Sequence, residues 1–206
     1  MYIYFFLKGL IIGFSIATPV GPIGVLCIRR TLANGRMSGL MSGLGAATAD
    51  GFYGAVAAFG LTLISNVLVD QQLWFRIIGG SFLLYLGIRT FLSKPSEKSA
   101  SDKKGNLFGD YISTFFLTIM NPITILSFAA VFAGLGLSDS SGNYISAILM
   151  VSGVILGSIG WWLILSTGVS LLRGKFNPAS LKIVNWVSGA IMVVFAVIAF
   201  VSIFSM

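Results

Sequence analysis

Thr18-Pro19-Val20-Gly21-Pro22 and, one hundred residues further on, Thr118-Ile119-Met120-Asn121-Pro122 interrupt two long apolar runs at matching places. Proline removes a backbone donor and its ring clashes with the preceding turn, so carbonyls at both places lose their helical partners. In hydrocarbon such groups persist only beside other protein or a water-filled cavity. Helices broken at corresponding places in two halves point to a substrate site near the membrane midplane. A plain kink is the alternative, since membrane helices tolerate proline; two kinks in related positions favour the site.

The surroundings are membrane-like throughout. Hydrophobic residues make up 56% of the 206 and charged residues 9%, with a mean hydropathy of +0.96, a balance foreign to a soluble domain. Six stretches reach the roughly 20 apolar residues that a crossing needs: 3–27, 37–66, 73–92, 108–136, 144–172 and 179–205. The expected fold is an all-α integral membrane protein of six transmembrane helices, the first and fourth broken. Residues 1–206 form a single transporter domain, with halves 1–92 and 108–206 joined by the lysine-rich linker 93–107. Each half holds an odd number of crossings, so the second enters the membrane in the opposite sense, making a 3+3 inverted repeat. Matches at the offset of one hundred agree: Thr18 with Thr118, Pro22-Ile23 with Pro122-Ile123, Gly60 with Gly160. The first run does not read as a cleaved signal peptide, because Lys8 is the only charge near its start and no small-x-small site precedes a polar chain.

The connections after the first, third and fifth crossings hold Arg29, Arg30, Arg36, Arg89, Lys94, Lys98, Lys103, Lys104, Arg173, Lys175 and Lys182, eleven of the thirteen basic residues. The other side receives Lys8 and Arg76. The positive-inside rule then places these connections, linker included, in the cytoplasm and both termini outside. The net charge of +7 is thus topogenic, and charges in short loops beside crossings do not form a nucleic-acid face.

Asp50 is the one carboxylate placed inside a crossing; Asp70, Glu97, Asp102, Asp110 and Asp139 fall in connections or at ends. A charged Asp at the bilayer centre costs at least about 2.5–3.5 kcal/mol, so such residues face protein or water. Gly39, Gly43, Ala46, Gly54 and Ala57 recur at helical spacing around it and permit close helix approach. Asp50 either binds a substrate ammonium or carries a coupling proton, or it ties its helix to the first break or to the Asn121 amide. At the breaks, a half-helix N-terminus suits a carboxylate and unwound carbonyls suit an ammonium, so a zwitterionic amino acid satisfies both. Gly9 with Gly13, and Gly153, Gly157 and Gly160, form further packing stripes. Of Trp161 and Trp162, placed inside the fifth crossing, only one ring can face inward; either it lines the cavity or both pack.

The chain has no histidine and Cys27 as its single cysteine, so neither a transition-metal site nor a redox pair is expected. Without a phosphate-cradling G-x-x-x-x-G-K-S motif no nucleotide and no other cofactor is expected, and energy should come from an ion gradient.

These residues resemble the LysE family of amino-acid exporters. The stretches that carry the resemblance are Ser15 to Gly24 with Arg30 to Arg36, Gly43 to Asp50, Tyr53 to Gly60, and Asn121 to Thr124. Family members commonly show a Pro-Gly-Pro core, a glycine-rich second crossing with an acidic residue, and Asn-Pro in the fourth. Here the core is Pro19-Val20-Gly21-Pro22, one residue longer, and Ile123 stands where lysine is frequent. The resemblance implies a non-enzymatic exporter in the cell membrane, moving amino acids or related metabolites outward by proton antiport. It carries site roles to Pro19, Gly21, Pro22, Asp50, Asn121 and Pro122, to which the breaks themselves add Thr18. The small-residue stripes also permit a homodimer. The rival reading is an inorganic cation or metal-ion exporter using backbone carbonyls at the breaks. A single carboxylate leaves cationic, neutral and small acidic amino acids all open.

Overall fold

The computed structural model describes residues 2–19, 21–59, 71–93, 106–121, 124–125, 127–128, 144–176 and 178–203. Val20, Gly60, Asp70, Glu97, Asp102, Pro122, Ile123, Asp139 and most of the linker lie outside the described residues.

Proline and glycine punctuate the first part of the chain. Helix α1 (Tyr2–Ala17) stops one residue short of Thr18-Pro19, and α2 (Pro22–Asn34) starts on Pro22, with Gly21 as its extended N-cap. Proline at the first helical position gives up only a donor that has no intrahelical partner there. The two helices meet at 78°. Gly35, at φ +98, then turns the chain into α3 (Arg36–Ala58), a backbone conformation that L side chains disfavour. Next come α4 (Gln72–Phe91), α5 (Leu107–Ile119), α6 (Tyr144–Leu172) with a 3₁₀ turn at Arg173–Lys175, and α7 (Pro178–Val201). Asn106 caps α5, its Oδ1 accepting from Gly109 N at 2.9 Å. The described residues thus hold seven α-helices and no strand. Two helical stretches, Tyr144–Lys175 and Ala179–Val201, are long and apolar enough to cross a membrane, and a third crossing results if α1 and α2 count as one bent span.

The first apolar run was expected to end near residue 27, with Arg29 and Arg30 in a loop. Instead α2 continues to Asn34, and Arg30 is buried in it, because an acidic partner and four hydroxyl or carbonyl acceptors await its guanidinium.

Glycines set the helix pairing. A Cβ at Gly9 or Gly13 would overlap the carbonyls of Met150 and Val154, and one at Gly153 or Gly157 those of Phe6 and Leu10, so α1 and α6 lie backbone to backbone and run parallel. Along α3, Gly39, Gly43 and Gly54 meet Ser166, Trp162 and Val154 in reverse order, so α3 and α6 are antiparallel. Helices α3 and α5 run parallel, Ser38 bonding Asp110, Gly45 facing the Tyr111 carbonyl and Tyr53 OH donating to the Ile119 carbonyl. Helices α4 and α7 are antiparallel, with Gly80 against Phe200 and Gly87 against Val193.

The polarity of the bundle is the reverse of a soluble protein. Ile3, Ile11, Ile164, Leu171 and Val201 are exposed, while Ser38, Ser42, Thr114, Ser158 and Ser166 are buried, as expected where lipid is the outer solvent and hydroxyls hydrogen-bond between helices. Apolar contacts fill the rest, one cluster joining Ile12, Tyr53, Met150 and Val154, another Leu26, Leu83, Leu117 and Met192.

Gly157→Val should lower stability by about 1–3 kcal/mol or more, since the Leu10 carbonyl cannot give way. Gly160→Ala, with nothing within 4 Å of its Cβ, should leave stability unchanged or raise it by up to about 1 kcal/mol. Thermal unfolding of the two variants in detergent separates stripe glycines that pack from the one that does not.

Candidate functional site

Both breaks open onto one cavity of about 290 Å³. The first contributes Pro19, Gly21 and Pro22, the second Thr118, Asn121, Thr124 and Ser127, α3 contributes Asp50, and Trp162 and Phe195 close the sides. At the second break α5 ends at Ile119, and Asn121 O accepts from Thr124 N and Ile125 N at 3.1 and 3.3 Å, so helical backbone resumes. The first break does the same, with Gly21 O accepting from Val25 N at 3.0 Å. At the start of each, a threonine hydroxyl donates to the carbonyl four residues earlier: Thr18 Oγ1 to Phe14 O at 2.7 Å, Thr118 Oγ1 to Thr114 O at 2.8 Å.

Asp50 is 4% exposed. Its Oδ2 accepts from Ser158 Oγ at 2.7 Å, and that oxygen accepts from the Trp162 indole N–H at 3.1 Å. Gly43, Gly51 and Gly54 make this possible, because a Cβ at each would press on Trp162, Ile155 or Val154 and hold α6 away from α3. The glycine stripe therefore brings the hydroxyl of α6 onto the carboxylate of α3. Of the two tryptophans, Trp162 faces the cavity, while Trp161 sits edge-on to Phe14 at 5.6 Å between centroids.

Of the residues singled out in the sequence, Asp50, Pro19, Gly21, Pro22 and Asn121 thus line one space. Thr18 is not among the lining residues, its hydroxyl being turned back to Phe14, and Pro122 lies outside the described residues. Ser158 and Phe195 were not singled out. Ser158 lay hidden inside the glycine stripe of its helix, and Phe195 was one of 17 phenylalanines. A second, nearly apolar cavity of about 200 Å³ adjoins the first, sharing Pro22, Asn121 and Phe195, and reaches Arg76 and Ser202. The Arg76 guanidinium donates to the Ser202 carbonyl.

A separate polar cluster joins α2, α3 and α5. Arg30 Nε lies 3.1 Å from Asp110 Oδ1. Its Nη1 donates to Ser42 Oγ, Asp110 O and Thr114 Oγ1 at 2.8–2.9 Å, and its Nη2 to Ser113 Oγ at 2.7 Å. Ser38 Oγ donates to Asp110 Oδ2 at 2.5 Å. Asp110, in the first turn of α5 as its place at the end of an apolar run suggests, is thus buried and paired. Nearby, Arg29 donates to Asn185 and Ser93, and Arg173 to the carbonyls of Leu32 and Ala33, which stitches the ends of α2, α4, α6 and α7 together. Among the described residues no group of three or more His, Cys, Asp or Glu could hold a metal ion.

The fold and site define an apolar membrane bundle whose chain breaks border a carboxylate-bearing cavity. The chain belongs to the LysE family: the family model described as LysE type translocator matches residues 14–202. It is 27% identical over 194 residues to "Putative amino acid efflux protein YcgF" of Bacillus subtilis (strain 168), covering 92% of each chain. It is 27% identical to "Uncharacterized membrane protein YahN" of Escherichia coli (strain K12), covering 82% of this chain and 77% of that one. No solved structure matches.

Removing one member of a buried ion pair strands the other in low dielectric at a cost of about 3–5 kcal/mol, whereas replacing both by apolar residues is often neutral. Asp110→Leu alone should therefore unfold at a much lower temperature than wild type, and Arg30→Met with Asp110→Leu should recover most of the loss. Thermal unfolding of the purified variants checks this.

Proposed function

We propose that this chain is a secondary active exporter that moves amino acids or related small metabolites out of the cytoplasm in exchange for protons. The observation that carries the reading is the buried Asp50 carboxylate in the cavity where the two breaks meet. Asp50 meets a substrate ammonium or a proton in turn, and the freed donors at the start of α2 meet the substrate carboxylate. The name printed for the Bacillus subtilis relative, an amino acid efflux protein, supports the choice of substrate.

The helix pairing supports six alternating crossings in a 3+3 inverted repeat. With α1 and α2 taken as the first crossing and α3 to α7 as the second to sixth, odd-numbered partners are parallel, as are even-numbered ones, and mixed pairs are antiparallel. Exchanging the halves turns the first–fifth contact into the fourth–second contact and maps the second–fifth and third–sixth contacts onto themselves. The paired threonine and backbone hydrogen bonds one hundred residues apart support the same symmetry. Arg29, Arg30 and Arg173 gather at one end of the bundle. Taken with the excess of basic residues there, this favours a cell-membrane orientation with that end in the cytoplasm and both termini outside. In this orientation the Arg30–Asp110 cluster, which joins α2, α3 and α5, belongs to the cytoplasmic end of the bundle.

Export of an inorganic cation through the same carbonyls is the second reading, favoured only by the exposed backbone at the breaks. Proteoliposomes preloaded with a mixed amino-acid pool, with and without a proton gradient, test the proposal. Wild type should release amino acids under the gradient. Asp50→Asn should reduce release by about 10–100-fold, the effect of losing one charge-assisted contact, with normal insertion. Equal release by the mutant would remove Asp50 from the mechanism; cation flux without amino-acid flux would favour the second reading.

A further inference from the structure

We infer that the cavity selects amino acids with uncharged side chains of small to medium size; this rests on the export reading and narrows it. Among the described lining residues Asp50 is the one ionisable group. The other polar groups there are Thr118, Asn121, Thr124, Ser127 and the backbone of the first break, and the remaining walls are apolar.

A bound amino acid brings its own ammonium and carboxylate. The ammonium takes Asp50. The carboxylate takes the start of α2, where Pro22 has no donor and the N–H groups of Ile23 and Gly24 precede the first intrahelical bond, from Val25 N to Gly21 O. Gly21 leaves that approach open, since nothing lies within 4 Å of where its Cβ would be. The site's charges are then spent on the groups every amino acid shares, and the substrate side chain meets Trp162, Phe195 and hydroxyls.

A lysine or arginine side chain would bring a second cation without a second carboxylate, and a glutamate side chain a second anion without a cation. An unpaired charge in such surroundings is strongly disfavoured. Arg76 lies in the adjoining cavity, beyond the Pro22, Asn121 and Phe195 wall, with its guanidinium on the Ser202 carbonyl. The stretch from Pro122 to Asn143 contains neither lysine nor arginine, and its carboxylate, Asp139, belongs to the polar run Ser138 to Asn143. The volume of about 290 Å³ is at the small end of ligand cavities, roughly 300–1,000 Å³, and has room for one amino acid.

The test is efflux from proteoliposomes containing the purified full chain and loaded in parallel with leucine, threonine, lysine or glutamate at equal concentration. Leucine or threonine should leave about 100-fold faster than lysine and glutamate. Asn121→Asp, nearly the same shape with one added carboxylate in the cavity, should raise the lysine-to-leucine ratio by about tenfold or more. Lysine or glutamate efflux matching that of leucine in wild type overturns the selectivity and leaves the export reading standing, as does an unchanged ratio in a folded Asn121→Asp. No flux of any of the four overturns the export reading, and this inference with it.

Discussion

A backbone that leaves the helix at membrane depth cannot find its hydrogen bonds in lipid, and the rest of the bundle is organised around that constraint. Pro19 and Pro22 end one helix and start the next within a few residues, and the chain must gather polar partners at that spot. It does so by bringing the second break to the same place, with Asn121, Thr124 and Ser127 opposite Pro19 and Gly21. Close helix approach is what allows this. The parallel glycine contacts of α1 with α6 and the glycines of α3 against α6 draw the bundle tight enough for Ser158 to reach Asp50.

Two buried carboxylates have been given opposite surroundings. Asp110 is paired, with an arginine and a serine on its carboxylate and further acceptors holding the arginine in place. Such a cluster is costly to open and suits a fastening between helices. Asp50 faces a cavity and has a serine hydroxyl on it, with no basic residue among the described groups that line the space. A carboxylate kept without a resident cation is suited to one that arrives and leaves.

The membrane class, the helical fold and the ends of α1 and α5 beside the proline motifs were legible in the sequence because each rests on local chemistry: apolar run length and proline geometry. The family resemblance read from the Pro-Val-Gly-Pro and Asn-Pro motifs agrees with the family to which the chain belongs. What local reading missed is tertiary. Arg29 and Arg30 look like loop charges until Asp110, eighty residues away, is seen to meet Arg30. Asp110 does sit in the first turn of its helix, as the sequence suggests, but its burial against Arg30 is not visible there. Ser158 was hidden because a serine in a glycine stripe reads as a small residue for packing, and only the face of α3 opposite it shows that the hydroxyl is used. Thr18 and Thr118 look equivalent in sequence and make equivalent backbone bonds, yet only Thr118 borders the cavity.

The most direct measurement is thiol protection in the cavity. Ser127→Cys changes one lining atom, and Cys27→Ser removes the native thiol, which is fully buried. In that background a small thiol reagent should label Cys at position 127 in membranes, and a transported amino acid should slow the labelling in proportion to its occupancy while a non-transported one does not. A cysteine that reacts at the same rate with and without transported amino acid would contradict a substrate cavity at the meeting of the two breaks.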